Sequence, residues 1–182
     1  MSHRRRIFVS MVTLVALSLL AAAAPVGARP AALSTGSGTY SLLGTIPATF
    51  DYGAVAQPNG GASGELFVST IFQGFAIEFE GDVTCVTFDP AEHRAWIGGV
   101  ITANRSTHPS FTTERTQVGH DIWFRVVDYG EGSAAPADRS TFVGFEGDLE
   151  IPDSASYCAE QPWAPNDDRT WAVTDGNIQV HD

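Results

Sequence analysis

Phe75-Ala76-Ile77-Glu78-Phe79-Glu80 places its large apolar residues at every second position. A period of two belongs to a β-strand with one face buried and one in water, because successive side chains point to opposite faces. The same face continues through Val83, which predicts an inward-pointing Cys85. Gly81 predicts a bend or bulge on the way.

Further strands are expected over 39–46, 65–72, 82–88 and 94–102, the last two forming a hairpin across the turn residues 89–93. The run 121–128 alternates cleanly, with Ile122, Phe124 and Val126 on one face and Trp123, Arg125 and Val127 on the other. Shorter strands are expected over 141–145 and 148–151. Asp175-Gly176 between two β-rich runs predicts a closing hairpin of 170–174 with 177–181. Beyond the N-terminal segment no window shows a helical apolar period. The expected fold is all-β: a single antiparallel β-barrel or sandwich of about 8–10 strands. A barrel is favoured, because closure hides strand edges. The Pro-rich, polar stretch 151–168 reads as a long loop.

The N-terminus predicts export. Arg4, Arg5 and Arg6 form a basic head, 7–24 is almost wholly apolar, and Val26-Gly27-Ala28 offers small residues for a signal peptidase. This layout predicts a signal peptide over 1–28, a flexible lead over 29–37 and one β domain over 38–182. The expected location is secreted, extracellular or periplasmic, with no transmembrane segment in the mature chain. The two cysteines, Cys85 and Cys158, then form a disulfide. Neither has a neighbouring His or Cys at metal-ligand spacing. Closing so long a loop is worth roughly 4 kcal/mol in the chain-entropy picture.

The 182 residues hold 10 cationic side chains, all Arg, against 21 acids, for a formal net charge of −11. Without Lys there is no Walker-type phosphate loop, pyridoxal Schiff base or Ser-x-x-Lys acylation site. The acidic balance argues against nucleic acid as a partner.

Three segments carry a resemblance. They are Arg94-Ala95-Trp96-Ile97-Gly98-Gly99-Val100-Ile101-Thr102, then Phe124-Arg125-Val126-Val127-Asp128-Tyr129-Gly130-Glu131-Gly132 with Pro136-Ala137-Asp138, and lastly Gly176-Asn177-Ile178-Gln179-Val180-His181. Together they resemble a family of secreted bacterial β-domain proteins that has a VVDNGEG…PPD loop and a C-terminal GNIQVH strand. Tyr129 stands where that family has Asn, and Ala137 where it has the second Pro. The resemblance implies one exported β domain; it implies no established activity and no catalytic residues.

Candidate sites are few. Asp128, Glu131 and Asp138 are three acids among glycines, and carboxylates are hard ligands for calcium, the one metal the sequence suggests. The same residues also serve as ordinary turn formers. Trp123, Arg125 and Tyr129 share one strand face and are candidates for a cation–π ligand-binding strip. Glu78 and Glu80 share another face, but paired acids on a wet face are commonplace. No His spacing suits a zinc hydrolase, and no catalytic residue is identifiable. The leading expectation is a secreted, non-enzymatic β domain that binds a small apolar ligand or a surface partner, or serves a structural role in the envelope. The alternatives are a metal-independent cyclase- or isomerase-like enzyme with a barrel-enclosed site, and a calcium-stabilised adhesion module.

Overall fold

The computed structural model describes residues 32–164 and 166–181. The leader expected over 1–28 lies outside the described residues.

Nine strands form the sheet: β1 (Leu33–Leu42), β2 (Ile46–Ala56), β3 (Ala62–Phe72), β4 (Phe75–Asp89), β5 (Arg94–Asn104), β6 (Asp121–Val127), β7 (Arg139–Thr141), β8 (Gly144–Phe145) and β9 (Thr170–His181). Each pairs antiparallel with its neighbours, and β5 also pairs with β6, so that β1 to β7 and β9 close an eight-stranded barrel. β8 adds a two-residue pairing to β6 beyond the end of β7. Closure pairs β1 to β5 on both sides, which protects their edges from templating aggregation.

The inward faces carry Tyr40, Phe50, Tyr52, Leu66, Val68, Phe79, Ile97, Phe124, Ile178 and Val180, all buried. They fill the barrel. The free space beside Tyr40, Tyr52, Leu66 and Phe124 is about 10 Å³, roughly what one water needs. Tyr52 keeps its hydroxyl paired with Ser34 Oγ at 2.8 Å, and Tyr40 donates to the Thr141 carbonyl at 3.3 Å. Burial pushes both phenols far above their ordinary values.

Several local expectations change. The strand β1 starts at Leu33, inside the stretch expected to be a flexible lead. Its small residues are ordered because β2 and β9 pair with it on both sides. β2 is a strand that the sequence reading does not include; Ala48, Phe50, Tyr52 and Ala54 form its buried face. The stretch 148–151 is no strand: Asp148–Glu150 form a short 3-10 turn. Asp175-Gly176 makes no hairpin, for β9 runs straight through it with a register shift opposite Thr39 and Tyr40. There Gly176 faces Gly38 across β1, and a Cβ on Gly176 would lie 2.0 Å from the Ser37 carbonyl oxygen. The glycine therefore serves close backbone approach and its φ of 116°, not a turn.

Another change concerns Cys85. Gly81 does mark a bulge, as the register with β5 shifts between Glu80 and Gly81. A second shift falls between Val83 and Cys85. One extra residue reverses the alternation. Val83 stays in the core, Val86 and Phe88 pack against that core, and Cys85 turns outward to meet Cys158.

Cys158 lies on the one α-helix among the described residues, α1 (Ser154–Glu160), inside the stretch expected as a loop. Asp153 caps α1 by accepting the Ser156 N–H at 2.7 Å. Asp121, at the start of β6, accepts the Ser154 N–H at 3.0 Å and its hydroxyl. The disulfide and these bonds hold the segment 146–169 against the outer wall of β5 and β6. Beneath it is a second small core of Trp96, Trp123, Ile151 and Tyr157, with Trp163 packed against it.

Candidate ligand-binding site

β6 explains why this outer wall is aromatic. Its even positions fill the barrel, so Trp123 and Arg125 must point outward, and the 146–169 segment covers both. Arg125 is fully buried. It donates from Nη1 to the carbonyls of Trp163 and Asn166 at 2.9 Å each, and from Nη2 to that of Asp168 at 2.7 Å. Burial lowers its pKa from the ordinary arginine value. Trp96 Nε1 donates to the Pro162 carbonyl at 3.0 Å. Arg94 pairs with Asp167 at 2.9 Å, and Tyr129 donates to the other oxygen of that carboxylate. The segment is thus fastened through its backbone carbonyls and Asp167.

An opening remains where the pairing along β6 breaks. β7 pairs with Val126 and Val127, β8 pairs with Ile122 and Trp123, and Phe142 and Val143 leave the ladder between them. The resulting cleft has a volume of about 340 Å³ and is lined by Trp123, Phe142, Leu149, Tyr157, Trp163 and Trp171, with Asp148 and Arg169 as its charged members. Gly144 backs directly onto the Trp123 indole, where a Cβ would lie 2.4 Å from Nε1. The Arg169 guanidinium lies 5.0 Å from the centre of the Trp163 ring, and that of Arg125 lies 5.8 Å from it. Each distance is within cation–π range.

The cleft adjoins an apolar end of the barrel. Leu42, Leu43, Ile46, Phe72, Phe111, Phe142 and Trp171 line a recess of about 260 Å³ there, so Phe142 and Trp171 belong to both spaces. Leu43 in the β1–β2 turn is 75% exposed, and Ile71 and Phe75, which flank the β3–β4 turn, are 69% and 42% exposed. The opposite end carries the turns 57–61, 89–93 and 128–138, which are mainly polar.

The sequence-derived candidates distribute as follows. Of Trp123, Arg125 and Tyr129, Trp123 lines the cleft, Arg125 holds its wall, and Tyr129 bonds to Asp167 on the far side of the segment. The guanidinium of Arg125 does meet an indole, but that of Trp163. Asp128, Glu131 and Asp138 all turn toward β9. Asp138 Oδ1 accepts the Tyr129 N–H at 3.0 Å and Oδ2 the Ile178 N–H at 2.9 Å. Asp128 Oδ2 accepts the Val180 N–H at 2.9 Å, and Glu131 accepts from Asn177 Nδ2 at 2.8 Å. Burial raises the Asp138 pKa against the opposing pull of its two amide bonds. Among the described residues no three His, Cys, Asp or Glu side chains are grouped to hold a metal ion. Glu78 and Glu80 are bridged by Arg105 at 2.9 and 2.6 Å. His120 bonds to Glu146 at 2.9 Å and not to its neighbour Asp121.

Phe142, Leu149, Trp163, Arg169 and Trp171 escape a reading by strand faces, because four of them lie outside regular strands. The available signal was two Trp bracketing a stretch otherwise polar and Pro-rich. By fold and site the chain is a closed antiparallel barrel with an aromatic cleft on its outer wall. Compared with known proteins it matches no protein family, no curated protein and no solved structure.

Proposed function

We propose that this chain is an exported, non-catalytic binding domain that takes a small apolar ligand in the cleft between Phe142, Trp163 and Trp171. The observation that carries this reading is the cleft itself. Its volume of about 340 Å³ falls at the lower end of the range of small-molecule sites, roughly 300–1,000 Å³, and such sites are mostly apolar with few polar groups. The filled barrel leaves the outer wall as the place for a ligand. Export is supported by the basic, apolar and small-residue succession of the first 28 positions and by the disulfide.

The test is a titration of tryptophan fluorescence with decanol, a neutral apolar probe. Three of the four Trp line the cleft, so saturable change in emission is expected. Leu149 lines the cleft and is 47% exposed, so Leu149→Gln should weaken the probe while leaving the circular dichroism and melting temperature unchanged. Absence of saturable binding overturns the proposal.

A further inference from the structure

The polar members of the cleft are unequal. Asp148 has both oxygens engaged: Oδ1 accepts from Arg115 at 2.5 Å and Oδ2 from the Phe145 N–H at 3.0 Å. Its charge is compensated by Arg115. Arg169 is exposed and sits at a left-handed φ of 62°. Its guanidinium rests on the Trp163 ring and forms no ion pair or side-chain hydrogen bond among the described residues. The uncompensated charge at the cleft is therefore positive, in a chain whose net charge is −11.

We propose that the ligand is an amphiphilic carboxylate, its apolar body in the aromatic cleft and its acid group on Arg169. This inference rests on the apolar-ligand reading above and adds the anionic head. A guanidinium is weakly hydrated and presents parallel N–H donors that match the two oxygens of a carboxylate. Stacking on Trp163 pre-orders the side chain, so less rotamer freedom is lost when the acid arrives. The surrounding excess of acids makes unselective capture of anions poor, which leaves the apolar contacts to set which acids bind.

The experiment compares decanoate with decanol on the intact oxidised protein, by tryptophan fluorescence below the micelle concentration of either probe. One charge-assisted pair should make decanoate bind about tenfold tighter. Arg169→Gln should erase that preference, read as the ratio of the two affinities within the variant. Arg105→Gln, on the outer face of the barrel, should keep the preference and so excludes a general charge effect. Equal affinity for the two probes, or a preference that survives Arg169→Gln, overturns the carboxylate inference while the apolar cleft stands. Failure of both probes to bind overturns the reading on which it rests.

Discussion

Asp138 accepts the backbone N–H of Ile178 at 2.9 Å, across 40 residues of sequence. Two positions along the same strand, Asp128 does the same for Val180. β7 pairs with β9 only as far as Thr170 to Ala172, so the rest of that edge of β9 has no strand beside it. Carboxylates and the Asp138 carbonyl, which accepts the Val173 N–H at 2.7 Å, take the place of the missing ladder. Buried amides must find acceptors, and here side chains from the 128–138 loop provide them. This pairing joins the 128–138 loop to the last strand and gives Asp128 and Asp138 a structural role.

Asp138→Ala should therefore cost about 2–4 kcal/mol in urea unfolding, since it leaves two amide donors without their acceptor. Burial holds the Asp138 pKa above its unfolded value. Folding thus disfavours the ionised form, and the contribution of this group to stability falls as pH rises through the folded pKa. As pH drops toward roughly 4, protonation relieves the penalty, and the gap between wild type and Asp138→Ala should widen. Carboxyl NMR should place the Asp138 titration above the ordinary aspartate value, and a titration at or below it contradicts the assignment.

Asp153 should behave in the opposite sense. The Ser156 N–H at the start of α1 holds its carboxyl below the ordinary value. A depressed pKa contributes stability above the unfolded value and loses it as pH falls through the folded one. The melting-temperature loss on Asp153→Ala should be largest near neutrality and shrink in acid, as differential scanning calorimetry across pH would show.

Removing the disulfide should loosen one layer and spare the other. Cys85 and Cys158 are 73 residues apart, and the bond ties α1 to β4. The double variant Cys85→Ser with Cys158→Ser should lose roughly 4 kcal/mol of stability. Tryptophan emission should shift to the red as Trp96 and Trp123 gain water, while the far-ultraviolet β signal persists. Loss of both signals together would show that the outer layer and the barrel are one cooperative unit.

Arg125→Met should release the 163–168 stretch without unfolding the barrel. The substitution removes three hydrogen bonds to backbone carbonyls, and the expected cost is about 2–4 kcal/mol. Limited proteolysis should cut this stretch faster than in the wild type; both cysteines precede the cut, so the C-terminal fragment stays with the barrel only through the pairing of β9 with β1 and β7. Unchanged cleavage would mean that the disulfide and α1 suffice to hold it.

Glu65 stands directly opposite Asp82 on β3 and β4, both exposed. Like charges in that position repel, and an opposite pair contributes roughly 0.2–1 kcal/mol. Glu65→Lys should raise the melting temperature, by less at high salt because screening weakens an exposed pair. A melting temperature that falls at low salt contradicts the expected repulsion.

Alternation along the chain was enough to predict an antiparallel barrel or sandwich, the faces of β6 and the β4–β5 hairpin, because a two-residue period depends only on neighbours in sequence. The even cysteine count, with the export expected from the N-terminus, was enough to pair Cys85 with Cys158. Tertiary structure decided the rest. Whether Asp175-Gly176 turns or runs straight depends on Gly38 lying across from it, a contact between distant positions. The side to which Cys85 points depends on a bulge that shows only in the register with β5. The cleft exists because β7 and β8 part around Phe142 and because the segment after them folds back over β6. Trp163, Arg169 and Trp171 lie on no common period, so only the packing of that segment could bring them together.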